Sequence, residues 1–172
     1  KNRRLLKQFD GFVQIARDND ALYQRLHQLT LTLIDASSLG DLLASLDWGL
    51  HQYFDVDYVA VRLLGPVRDD SVTNLYVPED SAAAAWCAAM LARPEPVCGK
   101  PDPESAGFLF GKPAPAVASH AMAVLQHAGV QGLFAIGSRD TERFQADMGV
   151  MLLVQTSEIL AARLAALLNP PD

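Results

Sequence analysis

Cysteine is scarce in this chain of 172 residues, which contains only Cys87 and Cys98. The two are not in Cys-x-x-Cys spacing, so neither a disulfide framework nor a structural zinc site is indicated. The four histidines lie far apart in the sequence and have no ligand spacing, which argues against a bound metal or haem. We therefore expect no cofactor, and the low cysteine content fits a reducing cytoplasm.

Basic residues and long apolar runs are also few. The chain has 14 lysines and arginines against 20 acidic residues, a formal net charge of −6. This balance argues against binding of nucleic acid or of an anionic membrane surface, since both need a basic surface. No uninterrupted run approaches the roughly 18 apolar residues of a membrane span. Because the chain begins at Lys1 inside a helical pattern, we expect further sequence to precede it.

Motifs for common chemistries are missing as well. No glycine-rich loop that could cradle a phosphate is present. Ser119 and His120 are adjacent, but neighbouring residues of a strand point to opposite faces of a sheet, so they do not form a catalytic pair. These absences favour a non-catalytic protein.

What is present is enough apolar sequence for one domain with a well-buried core, because half of the residues are hydrophobic and only 20% are charged. Residues 116–138 stand at its centre. They predict two strands, 117–125 and 130–137, joined by a tight turn at 126–129. Residues 133–136 are apolar on both alternating faces, which is typical of a strand in the middle of a sheet.

The N-terminal 34 residues carry a heptad pattern that predicts a long helix. One heptad position holds Leu5, Phe12, Asn19, Leu26 and Leu33, and the other holds Gln8, Ile15, Leu22 and Leu29. Such a seam is typical of a coiled coil, and a lone asparagine in it fixes register. We expect a homodimer, with these candidate dimerisation residues: Phe12, Ile15, Asn19, Leu22, Leu26 and Leu29. From Leu22 onward the helix should also cover its own domain, and the alternative is a helix that packs only there, which the apolar residues off the seam, Phe9, Val13 and Tyr23, support.

The rest of the chain alternates helices and strands. Ser38 and Asp41 have capping-box spacing and open a second helix. After it the patterns predict, in order, a strand at 56–64, its hairpin partner at 72–77, a short helix at 81–92, a strand stub at 96–99, a short helix at 103–110, the central hairpin and a last helix at 142–168. Apolar residues of the last helix occupy two faces, one for the sheet and one for another helix.

This order of elements resembles a GAF domain, with a PAS domain as the main architectural rival. The resemblance is carried by residues 59–63, by residues 132–138, and by the run Arg139-Asp140-x-x-Arg143-Phe144-x-x-x-Met148-Gly149. It implies an α+β fold in which an antiparallel sheet is flanked by the N- and C-terminal helices. We expect the N-terminal helix at 1–34 and a GAF-like domain at 35–169.

A narrower resemblance adds Arg93-x-x-x-x-Cys98-Gly99 and Leu109-Phe110-Gly111 to that run. Together these motifs resemble an uncharacterised proteobacterial family, domain of unknown function four-eight-four, which belongs among GAF-like proteins. The family has no assigned activity, so the resemblance implies nothing about chemistry. The signatures that GAF domains use for cyclic nucleotides and bilins are absent from this chain.

The GAF resemblance implies a pocket between the sheet and the two short helices, for an unidentified small molecule. The candidate pocket residues are Arg62, Tyr76, Trp86, Met90, Phe108, Phe110, His120 and Ser138. The alternative is that the aromatic residues among them are simply core. A second functional hypothesis is a thiol redox enzyme resembling free methionine sulfoxide reductase, with Cys98 as the attacking thiol and Cys87 as its resolving partner.

Overall fold

A computed structural model of the chain describes residues 2–145 and 150–170. In these residues the fold is α+β, as predicted: five α-helices and four strands. The helices are α1 (Asn2–Ile34), α2 (Leu39–Phe54), α3 (Ala82–Leu91), α4 (Pro103–Phe110) and α5 (Val150–Leu168). The strands are β1 (Tyr58–Leu64), β2 (Val97–Gly99), β3 (Ser119–His127) and β4 (Val130–Ser138), and short 3-10 segments occupy Asp70–Leu75 and Ala114–Ala116.

The four strands form one antiparallel sheet in the order β1-β4-β3-β2. The predicted central hairpin is confirmed, but its turn is shorter than expected and contains only Ala128 and Gly129. Both adopt positive φ values, 46° and 84°, which is the geometry of a two-residue hairpin turn whose twist matches its strands. Eight of the nine residues of β4 are buried, so the prediction of a central strand is also confirmed.

The sheet separates two hydrophobic clusters. Helices α1, α2 and α5 cover one face, which we call the long-helix face, where Phe134 and Ile136 of β4 are buried. Helices α3 and α4 cover the other, the short-helix face, where Leu133 and Ala135 are buried. This alternation follows from the two-residue period of a strand. The sheet is therefore covered on both faces, which explains why residues 133–136 of β4 are apolar without alternation.

Local signals for helix starts are confirmed. The Ser38 side chain accepts a hydrogen bond from the Asp41 backbone N–H, while the Asp41 carboxylate accepts one from the Ser37 backbone N–H. Ser81 caps α3, and Asp102 caps α4 with Pro103 at its first position. In each case a side chain satisfies a backbone donor that the first helical turn leaves without a partner.

The prediction of a second strand at 72–77 is wrong. Residues Asp70–Leu75 form a 3-10 segment, and only a single parallel bridge joins Tyr76 to Leu63. The cause is local, because the Asp69 carboxylate accepts hydrogen bonds from both the backbone N–H and the hydroxyl of Ser71. This side-chain bonding closes a turn in place of an extended strand.

The last helix begins later than the predicted residue 142. Residues 141–144 form a turn, and the helix is described from Val150 to Leu168. Met148 and Gly149 of the sequence motif lie outside the described residues. By length and composition, α5 has the character of a membrane span, which the sequence reasoning did not anticipate. Eight of its residues are buried in the domain, so packing in the core accounts for its apolar composition.

Candidate functional site

The N-terminal part of α1 extends beyond the domain. Of residues 2–20, which we call the overhang, only Val13 is even half-buried. Large apolar side chains in it are strongly exposed, including Phe9 at 66% and Phe12 at 71%. At 1.5 Å per residue the overhang is about 28 Å long. Isolated apolar residues on a surface are ordinary, but an aligned set of this size indicates a contact surface.

Five of the eight large exposed apolar residues of α1 form a stripe distinct from the one that packs on the domain, and Leu6, Ile15 and Leu31 lie outside it. At about 100° per residue, five exposed residues share an arc of about 60°: Leu5, Phe9, Phe12, Tyr23 and Ile34. We call them the exposed stripe. The residues that pack on the domain share another arc of about 60°, centred about 100° away: Leu22, Leu26, Leu29 and Leu33.

The predicted dimerisation residues therefore divide into two groups. Phe12, Ile15 and Asn19 are exposed in the overhang. Leu26 and Leu29 are buried in the core of their own domain, 9% and 1% exposed, so they are not available to a second chain in this arrangement. Leu22 lies between the groups and is half-buried. The helix has 3.6 residues per turn, so a heptad seam drifts around a straight helix and its two ends face different surroundings.

The end of α1 is held firmly to the domain. Arg163 of α5 donates hydrogen bonds to the carbonyl oxygens of Leu33 and Ala36, at 3.3 and 2.7 Å. These carbonyls lie at the C-terminal end of α1, where the helix leaves its last acceptors without partners and a cation is favoured. Close packing adds to this, since a Cβ on Gly49 of α2 would lie 2.6 Å from Leu29. The overhang thus projects from a fixed base.

Six of the eight pocket candidates share the short-helix face of the sheet or the helices on it. Trp86 and Phe108 contact each other with ring centroids 5.7 Å apart. Phe110 packs so tightly on the sheet that a Cβ on Gly137 would lie 3.2 Å from its ring. These are the contacts of a packed core. The structure does not bring the other two candidates here, because Tyr76 packs in the long-helix cluster and Ser138 points to that face.

The two polar candidates on the short-helix face already have partners. Arg62 donates from Nε to the Phe108 carbonyl at 3.0 Å and from Nη1 to the Val61 carbonyl at 3.0 Å. His120 Nδ1 lies 2.9 Å from the Gly99 carbonyl, which can only accept, so this nitrogen carries the proton. Burial lowers the pKa of His120 below its ordinary value, so its ring is neutral at pH 7.

Ser138 belongs to a network that explains the distinctive motif at 139–144. Its hydroxyl donates to the Asp57 carboxylate at 3.2 Å and accepts from the Asp140 backbone N–H at 3.1 Å. Ser119, opposite Ser138 in the sheet, donates to the Asp140 carbonyl. Arg143 donates to the carbonyl of Phe54, the last residue of α2. The motif therefore builds the connection from β4 towards α5.

Asp57 gives this network a pH dependence. A hydrogen bond from the Arg139 backbone N–H is the main cause that holds the pKa of Asp57 below its ordinary value. Its stabilisation is therefore present above about pH 4, the ordinary aspartate pKa, and is lost as the pH falls through the lower pKa of the folded state. We expect Asp57→Asn to lower the free energy of unfolding by about 1 kcal/mol at pH 7.

The difference between wild type and Asp57→Asn should shrink as the pH falls below about 4, where Asp57 becomes protonated in the unfolded state, and should be lost once the folded-state carboxylate is protonated too. Urea unfolding at several pH values measures it. A difference that stays constant down to pH 3 would contradict the assigned role of Asp57.

The two cysteines lie on opposite faces of the sheet. Cys87 is 1% exposed in the short-helix cluster, whereas Cys98 packs against the long-helix cluster. Burial raises the pKa of the Cys87 thiol to about 11, with nearby Arg62 opposing the shift. A protonated, buried thiol on the far side of the sheet is unsuited to resolve a bond formed by Cys98. This geometry gives no support to the reductase hypothesis.

We expect the single thiol of a Cys98→Ser variant to be inert in the folded chain, because Cys87 is covered and protonated. Treatment with an aromatic disulfide reagent at pH 8 should modify it only after unfolding in urea. Reaction of Cys87 in the native protein at the rate of a small-molecule thiol would contradict its burial and raised pKa.

A cavity of about 190 Å³ lies along the outer edge of β1. Among the pocket candidates Arg62 lines it, together with Asp47 of α2 and Asn74 of the 3-10 segment. Sequence reasoning missed Asp47 and Asn74, because the first lies on a helix predicted only to cover the sheet and the second lies in the segment predicted as a strand. No sequence motif marks the two as neighbours.

Comparison with known families gives one result. The model of a family described as "Protein of unknown function, DUF484" matches residues 1–167. No curated protein matches the chain. The match covers the overhang as well as the domain, so the long helix is part of what the family shares.

Proposed function

We propose that this chain, which belongs to the DUF484 family of proteins of unknown function, is a non-catalytic GAF-like domain that works as a homodimer in the cytoplasm. Its role is to sense a small molecule or to hold partners together. The observation that carries the proposal is the overhang of α1, whose large apolar side chains are strongly exposed. A second copy of the chain is the occupant that we assign to this surface.

The length and apolar character of the exposed stripe support binding of a second copy of the chain to it. Its members run from Leu5 to Ile34, a length of about 44 Å at 1.5 Å per residue. An identical stripe on another chain has the same length and the same apolar character, and a two-fold axis would let each cover the other. Burial of each large side chain contributes about 1.5–3 kcal/mol, so several in one interface are enough to offset the cost of association.

The charge of the overhang also favours self-association. Residues 2–20 contain four basic and three acidic residues, so two copies do not repel each other strongly despite the acidic chain as a whole. Asn19 lies in the same segment and is exposed. A lone asparagine in an apolar seam favours one register over others, because its amide is best placed opposite another polar group.

The chemistry of the short-helix face supports a role without catalysis. Arg62 and His120 have backbone carbonyls as partners, and the raised pKa of Cys87 keeps its thiol protonated. A catalytic group must reach substrate in the correct protonation state. Neither the buried His120 ring nor the covered, protonated Cys87 thiol meets that condition, so sensing or scaffolding agrees better with the geometry.

Native mass spectrometry of the chain purified from its own cytoplasm tests the proposal. A dimer that carries a discrete extra mass would support the sensory role, and an empty dimer would support the scaffolding role. A monomer, with or without an added mass, would contradict the proposed homodimer.

A further inference from the structure

The cavity at the outer edge of β1 has both polar and apolar walls. Leu43 and Leu46 of α2 lie on one side of it, and Leu75 of the 3-10 segment lies on the other. The cavity is open to solvent, and its volume of about 190 Å³ suits a small molecule.

The floor of the cavity is an edge strand with backbone groups directed outward. The Arg62 carbonyl faces β4, since a Cβ on Gly132 would lie 2.2 Å from it, while the Leu63 carbonyl faces away and accepts from the Val77 backbone N–H at 2.9 Å. Successive residues of a strand direct their N–H and C=O groups to alternate sides. Val59 and Val61 therefore direct theirs towards the cavity, which gives it both donors and acceptors.

Two opposite charges line the cavity without pairing with each other. Arg62 is half-buried, its partners are neutral carbonyls, and no carboxylate lies within 4.0 Å of it in the described part of the chain. Loss of hydration lowers the pKa of Arg62. Asp47 is largely exposed, and His51 lies 3.4 Å from its carboxylate. A buried or half-buried cation is normally compensated by an anion, so the cavity beside Arg62 favours a ligand that carries a carboxylate.

We infer that this cavity binds a small zwitterion, an α-amino acid with an apolar side chain. Its carboxylate meets the Arg62 guanidinium and the Val61 N–H, and its ammonium group meets the Asp47 carboxylate and the Val59 carbonyl. Its side chain packs against Leu43, which is half-buried. This inference rests on the sensory form of the proposed function and gives it a ligand class.

Calorimetric titration with L-leucine and two analogues tests the inference. One analogue, 4-methylpentanoate, lacks the ammonium group, and the other, 3-methylbutylamine, lacks the carboxylate. L-leucine should bind saturably and at least tenfold more tightly than either. The variant Asp47→Asn should bind L-leucine at least fivefold more weakly and 4-methylpentanoate no more weakly than wild type. Asp47 is exposed, so this variant will fold.

Asp20→Asn, the same change in the overhang, is the matched control and should leave both affinities unchanged. Absence of saturable L-leucine binding at millimolar concentration would overturn the inference. So would equal affinity for 4-methylpentanoate, or an Asp47→Asn variant identical to wild type. The ligand and the dimer are tested separately. A dimeric protein that does not bind L-leucine would contradict only the inference, and a monomeric protein that binds L-leucine would contradict only the proposed dimer.

Discussion

Replacement of Gly132 by alanine will destabilise the fold by about 3 kcal/mol or more, at the upper end of the range for overpacked cores. A Cβ at this position would lie 2.2 Å from the Arg62 carbonyl oxygen, 2.8 Å from the Leu63 side chain and 3.1 Å from the Leu63 Cα. Two of these atoms belong to the backbone of β1, so no side-chain rotation can relieve the clash. The two strands must separate or shift in register, and β4 is the strand on which the sheet depends.

The measurement is urea unfolding of Gly132→Ala beside a matched glycine change. Gly107→Ala places a Cβ in α4, where no atom lies within 4 Å. Alanine favours a helix over glycine by about 1 kcal/mol, so this control should be neutral or more stable than wild type. A Gly132→Ala variant as stable as Gly107→Ala would show that β1 and β4 are not packed as described.

Replacement of Phe12 by glutamate will dissociate the proposed dimer. Phe12 is 71% exposed in the single chain, so its loss should not change the stability of the domain. In a symmetric dimer the change occurs twice, and each copy removes a buried aromatic ring worth about 1.5–3 kcal/mol and introduces a charge into the interface. We expect the dimer dissociation constant to rise at least about 100-fold, since each 1.4 kcal/mol is a factor of ten.

Light scattering coupled to size-exclusion chromatography measures this change, and circular dichroism checks that the fold is retained. Gln28→Glu introduces the same charge on the polar side of the same helix and should leave the dimer intact. If Phe12→Glu and wild type have equal mass at every concentration, the overhang is not the interface.

Much of the fold could be predicted because its signals are local. Ser38, Ser81 and Asp102 each lie directly before a helix, and each accepts a hydrogen bond from the backbone N–H three residues on. The Ala128-Gly129 turn follows from the short break Gln126-His127-Ala128-Gly129 between two apolar strands. Helix caps and tight turns depend on only a few neighbouring residues, so they can be predicted directly from the sequence.

The errors arise where side chains or distant segments decide the structure. Residues 72–77 are rich in residue types that favour strands, but hydrogen bonds from Ser71 to the Asp69 carboxylate form a turn instead. The edge cavity joins α2, β1 and the 3-10 segment, and no spacing in the sequence brings Asp47 near Arg62. The heptad pattern of α1 also does not show which of its residues pack on the domain. Leu26 and Leu29 are buried in the core, whereas Phe12 is exposed.

The motif at 139–144 illustrates the limit of sequence resemblance. Arg143 of the motif bonds to the end of α2, and the Arg139 backbone bonds to Asp57, which lies between α2 and β1. The motif therefore fixes the conformation of the chain at the end of β4. The description of the family names no activity. The proposed functions therefore rest on the overhang and on the edge cavity, away from the motif.

Sedimentation equilibrium of the unmodified chain decides whether the overhang holds two copies together. We expect a mass twice that of the 18.6 kDa chain at micromolar concentration, with dissociation only on strong dilution. A single-chain mass at all accessible concentrations would contradict it, because the apolar stripe of α1 would then be stable in water without a second copy.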